Sequence, residues 1–206
     1  MSRATAYDET ITLPRALRFP VELHPPLGFV ADRLETWPRL AGRLEYGHGR
    51  LLYTPPCGDT QQDTVTDLVI TLGAWVRAHP DFVLGTNEAG MHLDGETRAA
   101  DAAVWRRADL GAYRGGLRLV SPVLAVEVAG VDGDAEVELR EKAGWYIAHG
   151  VSTVWLVLPE TRELVVVSAT GDTRLDRNAR VAADAALPGL ALTIAELFSQ
   201  IDHAGT

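Results

Sequence analysis

Cysteine and lysine each occur once in this chain of 206 residues. A single cysteine, Cys57, can neither close an internal disulfide nor build a zinc cage. Disulfide scaffolds and zinc fingers are excluded, and the expected compartment is a reducing one, the cytoplasm. Long hydrophobic runs are also missing: nothing approaches the ~18 uncharged apolar residues of a membrane span. The opening MSRATAYDETITLPRALRFP has no apolar stretch of signal-peptide length, so neither secretion nor membrane insertion is expected. Positive charge is not in excess either, with 19 Lys+Arg against 28 Asp+Glu and a formal net charge of −9. That excludes a general cationic grip on phosphates, though not a local basic groove. There is no G-x-S-x-G elbow, no G-x-x-x-x-G-K-[ST] loop and no dinucleotide-type glycine pattern, which removes serine hydrolases, P-loop nucleotidases and dehydrogenases.

The scarcity of lysine is informative in itself. Of the 19 basic residues, 18 are arginine, and Lys142 alone is lysine. Arginine serves as well as lysine on most solvated surfaces. The one lysine that survives such a bias is a candidate for a position where a compact, tunable ammonium is needed and a planar guanidinium will not do.

What is present reads as one domain, long enough to bury a core without staples. Residues 1–37 form an arm, rich in proline, ending in a short helix from Gly28 to Trp37; 38–200 form the domain and 201–206 a tail. Arg43–Tyr46 and Arg50–Tyr53 are β-prone runs around Gly47-His48-Gly49, a hairpin. From Thr60 the apolar positions Val65, Leu68, Val69, Leu72 and Val76 recur at helical spacing until Pro80. Phe82–Leu84, Met91–Leu93 and Arg98–Trp105 read as a three-stranded meander. Val123–Val128 is a nearly unbroken apolar strand of the kind buried on both faces. Leu139, Ala143, Tyr146 and Ile147 define a second helix ending at Gly150, and Val154–Leu158 with Leu164–Val167 a late hairpin. The order predicts a mixed α/β sandwich around one sheet.

Two acids stand where acids are costly. Asp101 interrupts Ala99–Trp105 and Glu127 interrupts the most apolar strand, and a buried carboxylate must be neutralised, paired or bound to metal. Strand alternation puts Asp101 with Ala103 and Trp105, and Glu127 with Val123 and Ala125. If the strands are neighbours, the carboxylates converge. Two hard oxygen donors, with a carbonyl and waters, suit magnesium or manganese, and Lys142 on the flank of the second helix can reach the same cleft. Such an arrangement fits phosphodiester hydrolysis. A buried salt bridge from Glu127 to one of the 18 arginines would account for that acid without catalysis.

The segment Arg43–Leu51, the isolated Asp101, Val126-Glu127-Val128, Lys142 with Tyr146, and Gly150-Val151 leading to Val154–Val157 resemble the Uma-two endonuclease family, of the PD-(D/E)XK, restriction-endonuclease-like superfamily. The likeness runs from about Arg39 to Phe198. It implies an α/β, restriction-endonuclease-like core with a central mixed β-sheet flanked by helices. It also implies a divalent metal, Mg or Mn, held by Asp101 and Glu127, with Lys142 assisting attack by water. DNA is the implied partner and a homodimer the implied assembly. Glu45 matches the family's early acid, and Gln61 stands where members commonly have histidine; both are possible accessory residues. Departures are Ala129 where a lysine would follow the glutamate, Ala100 for proline, Arg50 for an acid, Leu158 for an aspartate, and the loop from Ala129 to Gly133. The alternative is a catalytically inactive binding or assembly module on the same fold.

Overall fold

The computed structural model describes residues 19–112, 115–130 and 135–203. Nine strands form one mixed sheet: β1 (Val21–Leu23), β2 (Arg43–Gly47), β3 (Arg50–Thr54), β4 (Phe82–Leu93), β5 (Glu96–Arg106), β6 (Leu124–Val128), β7 (Thr153–Leu158), β8 (Glu163–Ser168) and β9 (Gly171–Leu175). The main path runs β1-β3-β2-β5-β6-β7-β8-β9, and β4 pairs with β5. Among the described strands, β6 and β7 are the one pair that runs parallel, joined by the crossover that carries helix α3 (Ala135–Ala148). Helix α1 (Asp59–Ala78) covers the other face. Two short helices, α2 (Arg107–Leu110) and α4 (Ser199–His203), complete the set.

Strand parity decides which layer each residue joins. Ala102, Val104, Leu124, Val126, Val128, Trp155 and Val157 pack with Leu68, Leu72 and Trp75 of α1. Ala103, Trp105, Ala125, Ala129, Val154 and Leu156 pack with Ala143 and Tyr146 of α3. Ile194, Leu197 and Phe198 of a terminal 3-10 turn seal the α1 layer. Val123 departs from the expected alternation and joins the α1 layer, because the strand begins only at Leu124.

Helix α3 ends as its sequence demands. The Gly150 N–H reaches the Ile147 carbonyl and the Val151 N–H the Tyr146 carbonyl, with Gly150 at φ +85°, which closes the helix as a Schellman motif.

Three expectations change. The helix expected over Gly28–Trp37 is only a 3-10 turn at Leu34–Thr36. The Thr36 hydroxyl there bonds the Val30 N–H, the Val30 carbonyl and the Arg33 carbonyl, offering the backbone a local alternative to a helix. The meander is in fact a two-stranded hairpin: Phe82–Leu84 and Met91–Leu93 belong to one long β4, bent where the register shifts between Thr86 and Ala89. Asn87 and Glu88 adopt left-handed backbone there, at φ +56° and +60°. Strand β9 was not expected, because it is a polar, exposed edge with no apolar alternation to betray it. The Val131–Gly133 part of the departing loop lies outside the described residues, as do residues 1–18 of the arm and the last three residues of the tail.

Candidate active site at a split strand edge

Strand β5 is paired with β4 along one edge from Glu96 to Arg106. Its other edge is shared. It meets β2 at Thr97 and β6 at Ala102–Val104, so residues 98–101 lie where those two strands part. Backbone groups left open by such a fork need partners. Here side chains supply them: the Ala99 N–H donates to Glu45 Oε1 at 2.9 Å, and the Ala99 carbonyl accepts from Lys142 Nζ at 2.9 Å. On the far side of the fork the Val128 N–H donates to Asp101 Oδ2 at 2.7 Å.

The expected residues arrive from four directions. Glu45 comes from β2, Asp101 from β5, Glu127 from β6 and Lys142 from α3. Asp101 lies one step beyond the Ala102–Val126 pair, with Glu127 as its counterpart, and both have the parity that faces α3. Burial is deep: Asp101 is 7%, Glu127 1% and Glu45 7% exposed. Lys142 Nζ stands 2.6 Å from Glu45 Oε1 and 2.9 Å from Glu127 Oε1. With the Ala99 carbonyl, these acceptors match the three donors of an ammonium.

Gln61 takes a different position. It sits in the first turn of α1, from the opposite layer, and its Nε2 donates to the Val128 carbonyl at 2.9 Å. It therefore holds the chain just after Glu127 instead of joining the carboxylates.

Two further participants, Arg43 and Tyr146, stood in the family-like segments but carried no expected role at the site. Arg43 donates from Nη2 to Asp101 Oδ1 at 2.5 Å, and its Nη1 lies 3.8 Å from Glu127 Oε2, so one guanidinium spans both acids. Tyr146 donates its hydroxyl to Glu127 Oε1 at 2.7 Å. The signal for Arg43 was its place two residues before Glu45, on the same side of an extended strand. The signal for Tyr146 was its place four residues after Lys142, one helical turn along. Beyond them Arg98 Nη1 lies 3.5 Å from Glu45 Oε2, over Gly47, where an added Cβ would come within 2.5 Å of that guanidinium. The salt bridge to an arginine and the lysine contact thus coexist at Glu127.

Electrostatics divides the acids. Burial pushes the Glu127 carboxyl up to about 7, with neighbouring Asp101 adding to the rise while Lys142 and Arg43 oppose it. Burial opposes ionisation of Glu45 as well, but there the Lys142 ammonium, Arg43 and the Ala99 N–H prevail and hold the carboxyl below its ordinary range. Lys142 loses hydration by burial, yet Glu127 and Glu45 raise its pKa and keep it protonated. Burial, then the charges of Glu127 and Glu45, lift the Tyr146 hydroxyl well above its ordinary value, so it is a donor.

Among the described residues no group of three or more His, Cys, Asp or Glu side chains is arranged to hold a metal ion. Magnesium asks for less, commonly one or two carboxylates with waters and substrate oxygens completing the octahedron. Asp101 Oδ1 and Glu127 Oε2 face one cation, the Arg43 guanidinium. That shared focus of two hard oxygens fits a divalent ion in chemistry and charge.

The architecture is thus a mixed sheet between helical layers, with acids converging at a forked central strand. The chain belongs to the Uma2 family, described as "putative restriction endonuclease", whose model matches residues 31–195. It is similar in fold to the crystal structure of a "putative nuclease belonging to DUF820" from Anabaena variabilis. The TM-score is 0.71 at 17% sequence identity, covering 83% of this chain and 98% of that one. No curated protein matches this sequence. No helix among the described residues is long and apolar enough to cross a membrane.

Proposed function

We propose that this protein is a metal-dependent endonuclease that hydrolyses DNA phosphodiester bonds. The observation that carries the reading is the convergence of Asp101, Glu127 and the one lysine of the chain at a single buried fork. Asp101 and Glu127 would hold the ion, magnesium or manganese. When bound, that ion supplies Lewis-acid polarisation of a phosphoryl oxygen and acidifies water. The remaining tasks fall to the protein's own groups. Lys142 holds its proton at Nζ and fixes the Glu127 and Glu45 carboxylates. By exchanging one of those contacts for substrate it orients the attacking water or offsets charge growing on the phosphate. Tyr146 aims Glu127 by donating to Oε1, which leaves Oε2 for the ion. Gln61 steadies the strand end behind Glu127. A homodimer would place two such sites on the two strands of a duplex, and the setting is the cytoplasm.

A second reading, a binding or assembly module without cleavage, is favoured by one observation: the site is internally satisfied, with Lys142 fully bonded and the acid pair already bridged by Arg43.

Cleavage of supercoiled plasmid and of single-stranded DNA with magnesium or manganese separates the two. The wild type should cut and Asp101→Ala should not. Lys142→Arg should fold yet lose nearly all cutting, since a planar guanidinium cannot reproduce the three-way contact of the ammonium. Absence of cutting by the wild type with both metals and both substrates would favour the module.

A further inference from the structure

Arg43 differs from Lys142, the other cation on Glu127. Lys142 is anchored by its three short contacts, whereas Arg43 makes one short bond, to Asp101, and lies 3.8 Å from Glu127. Its side chain keeps 18% of its surface exposed, and its Nε already lies 3.8 Å from Glu88 Oε1. Glu88 is 46% exposed and sits at the β4 bulge, whose left-handed backbone brings that acid to the solvent side of Arg43. The guanidinium therefore stands between a buried acid pair and one exposed acid.

A guanidinium and a divalent ion cannot share the space between Asp101 Oδ1 and Glu127 Oε2 without strong repulsion at contact distance. We infer that Arg43 is the resident cation of the Asp101–Glu127 pair, and that a divalent metal binds by displacing its guanidinium towards Glu88, so that Arg43 and Glu88 together set the metal affinity. This rests on the metal-dependent reading above. In the metal-free protein Arg43 offsets the cost of two buried carboxylates. In the loaded protein Glu88 receives the charge that the ion displaces. The pair makes the site selective for divalent charge, because a monovalent ion gains no more from the two acids than the guanidinium it must evict.

The test is calorimetric titration of Mn²⁺ into the whole protein, without nucleic acid, for the wild type, Arg43→Gln, Glu88→Gln and the double variant. Arg43→Gln should bind Mn²⁺ roughly ten-fold or more tightly, as removal of a close competing charge implies. Glu88→Gln should weaken binding several-fold, and that weakening should vanish in the Arg43→Gln background. Through-space attraction by Glu88 alone would instead persist in both backgrounds and would overturn the inference, as would unchanged or weaker binding by Arg43→Gln. Should Arg43→Gln not fold, the neutral Arg43→Met and the exposed Glu88→Gln decide: tighter binding by the first and weaker by the second support displacement, and any other pair of results overturns it. Failure of every variant to bind Mn²⁺ removes the metal reading and this inference together. Tight metal binding without DNA cleavage leaves this inference standing and removes the nuclease.

Discussion

The two faces of the central sheet are built from the same strands and do opposite things. The face towards α1 is closed by large side chains, Leu68, Leu72, Trp75, Val104, Leu124, Val126, Trp155 and Phe198, and its one buried acid on α1, Asp67, is taken up by Gln200 of α4. The face towards α3 is lined at its centre by small ones, Ala103, Ala125, Ala129 and Ala143. The volume that alanine leaves unfilled is taken by Arg43, Glu45, Asp101, Glu127, Lys142 and Tyr146. Close-packed interiors leave few voids, so one layer can hold a charged cluster only if its apolar residues shrink to admit it. The first face packs the sheet against a helix; the second uses that support for a polar site.

The largest effect should come from breaking the charged face. Lys142→Met leaves Glu45 and Glu127 buried without their shared ammonium and should lower unfolding stability by about 3–5 kcal/mol in urea titration at pH 8. Next comes the apolar face. Leu72→Ala, fully buried against the sheet, should cost about 3 kcal/mol through lost transfer energy and the cavity left behind. It should leave Mn²⁺ affinity within about two-fold, because Leu72 packs in the layer opposite the site and the effects of distant positions add. A change of Mn²⁺ affinity as large as that of a site variant would show that the faces are not independent.

A smaller and signed effect tests the electrostatics. Glu127 ionises only near 7 in the folded protein, against 4.5 for an ordinary glutamate. Between those values the folded state holds a proton that the unfolded chain has lost, so this group's contribution to stability is complete below 4.5 and is lost as pH rises through 7. Glu45, shifted the other way, contributes stability that is present above 4.5 and lost as pH falls below it. In EDTA, the stability of the wild type relative to Glu127→Gln should therefore decline from pH 4.5 to 7.5, by a few kcal/mol at most. A difference that is flat or rising with pH would contradict the raised carboxyl. The smallest change is at the helix end that aims Tyr146. Gly150→Ala, at φ +85°, should cost about 1 kcal/mol in thermal unfolding.

Much of this could be read from the chain. Helix α1, β2 with β3, β6, α3 and the β7–β8 hairpin fall where periodicity and turn residues put them, because each is specified by neighbours a few residues away. The elements misjudged or missed are those whose hydrogen bonds are decided elsewhere: the Thr36 turn, the bulge that keeps β4 a single strand, and the polar β9. At the site, the improbability of acids in apolar strands marked Asp101 and Glu127, and the lysine bias marked Lys142. Arg43 is one arginine among 18, and its one local signal, the place two residues before Glu45 on the same side of a strand, does not by itself separate it from a surface residue.

The sequence alone determined the two layers, through the parity of apolar positions, and the identity of the acids and the lysine, through their cost or their rarity. Only the tertiary structure decided that β2 and β6 leave β5 at adjacent points and open a fork between them. Strand pairing joins residues far apart in the chain, and a fork exists only once three such pairings are made together. It is that fork which gives Glu45 and Lys142 backbone groups to bind, brings Arg43 across both carboxylates, and sets Gln61 on the strand end behind them.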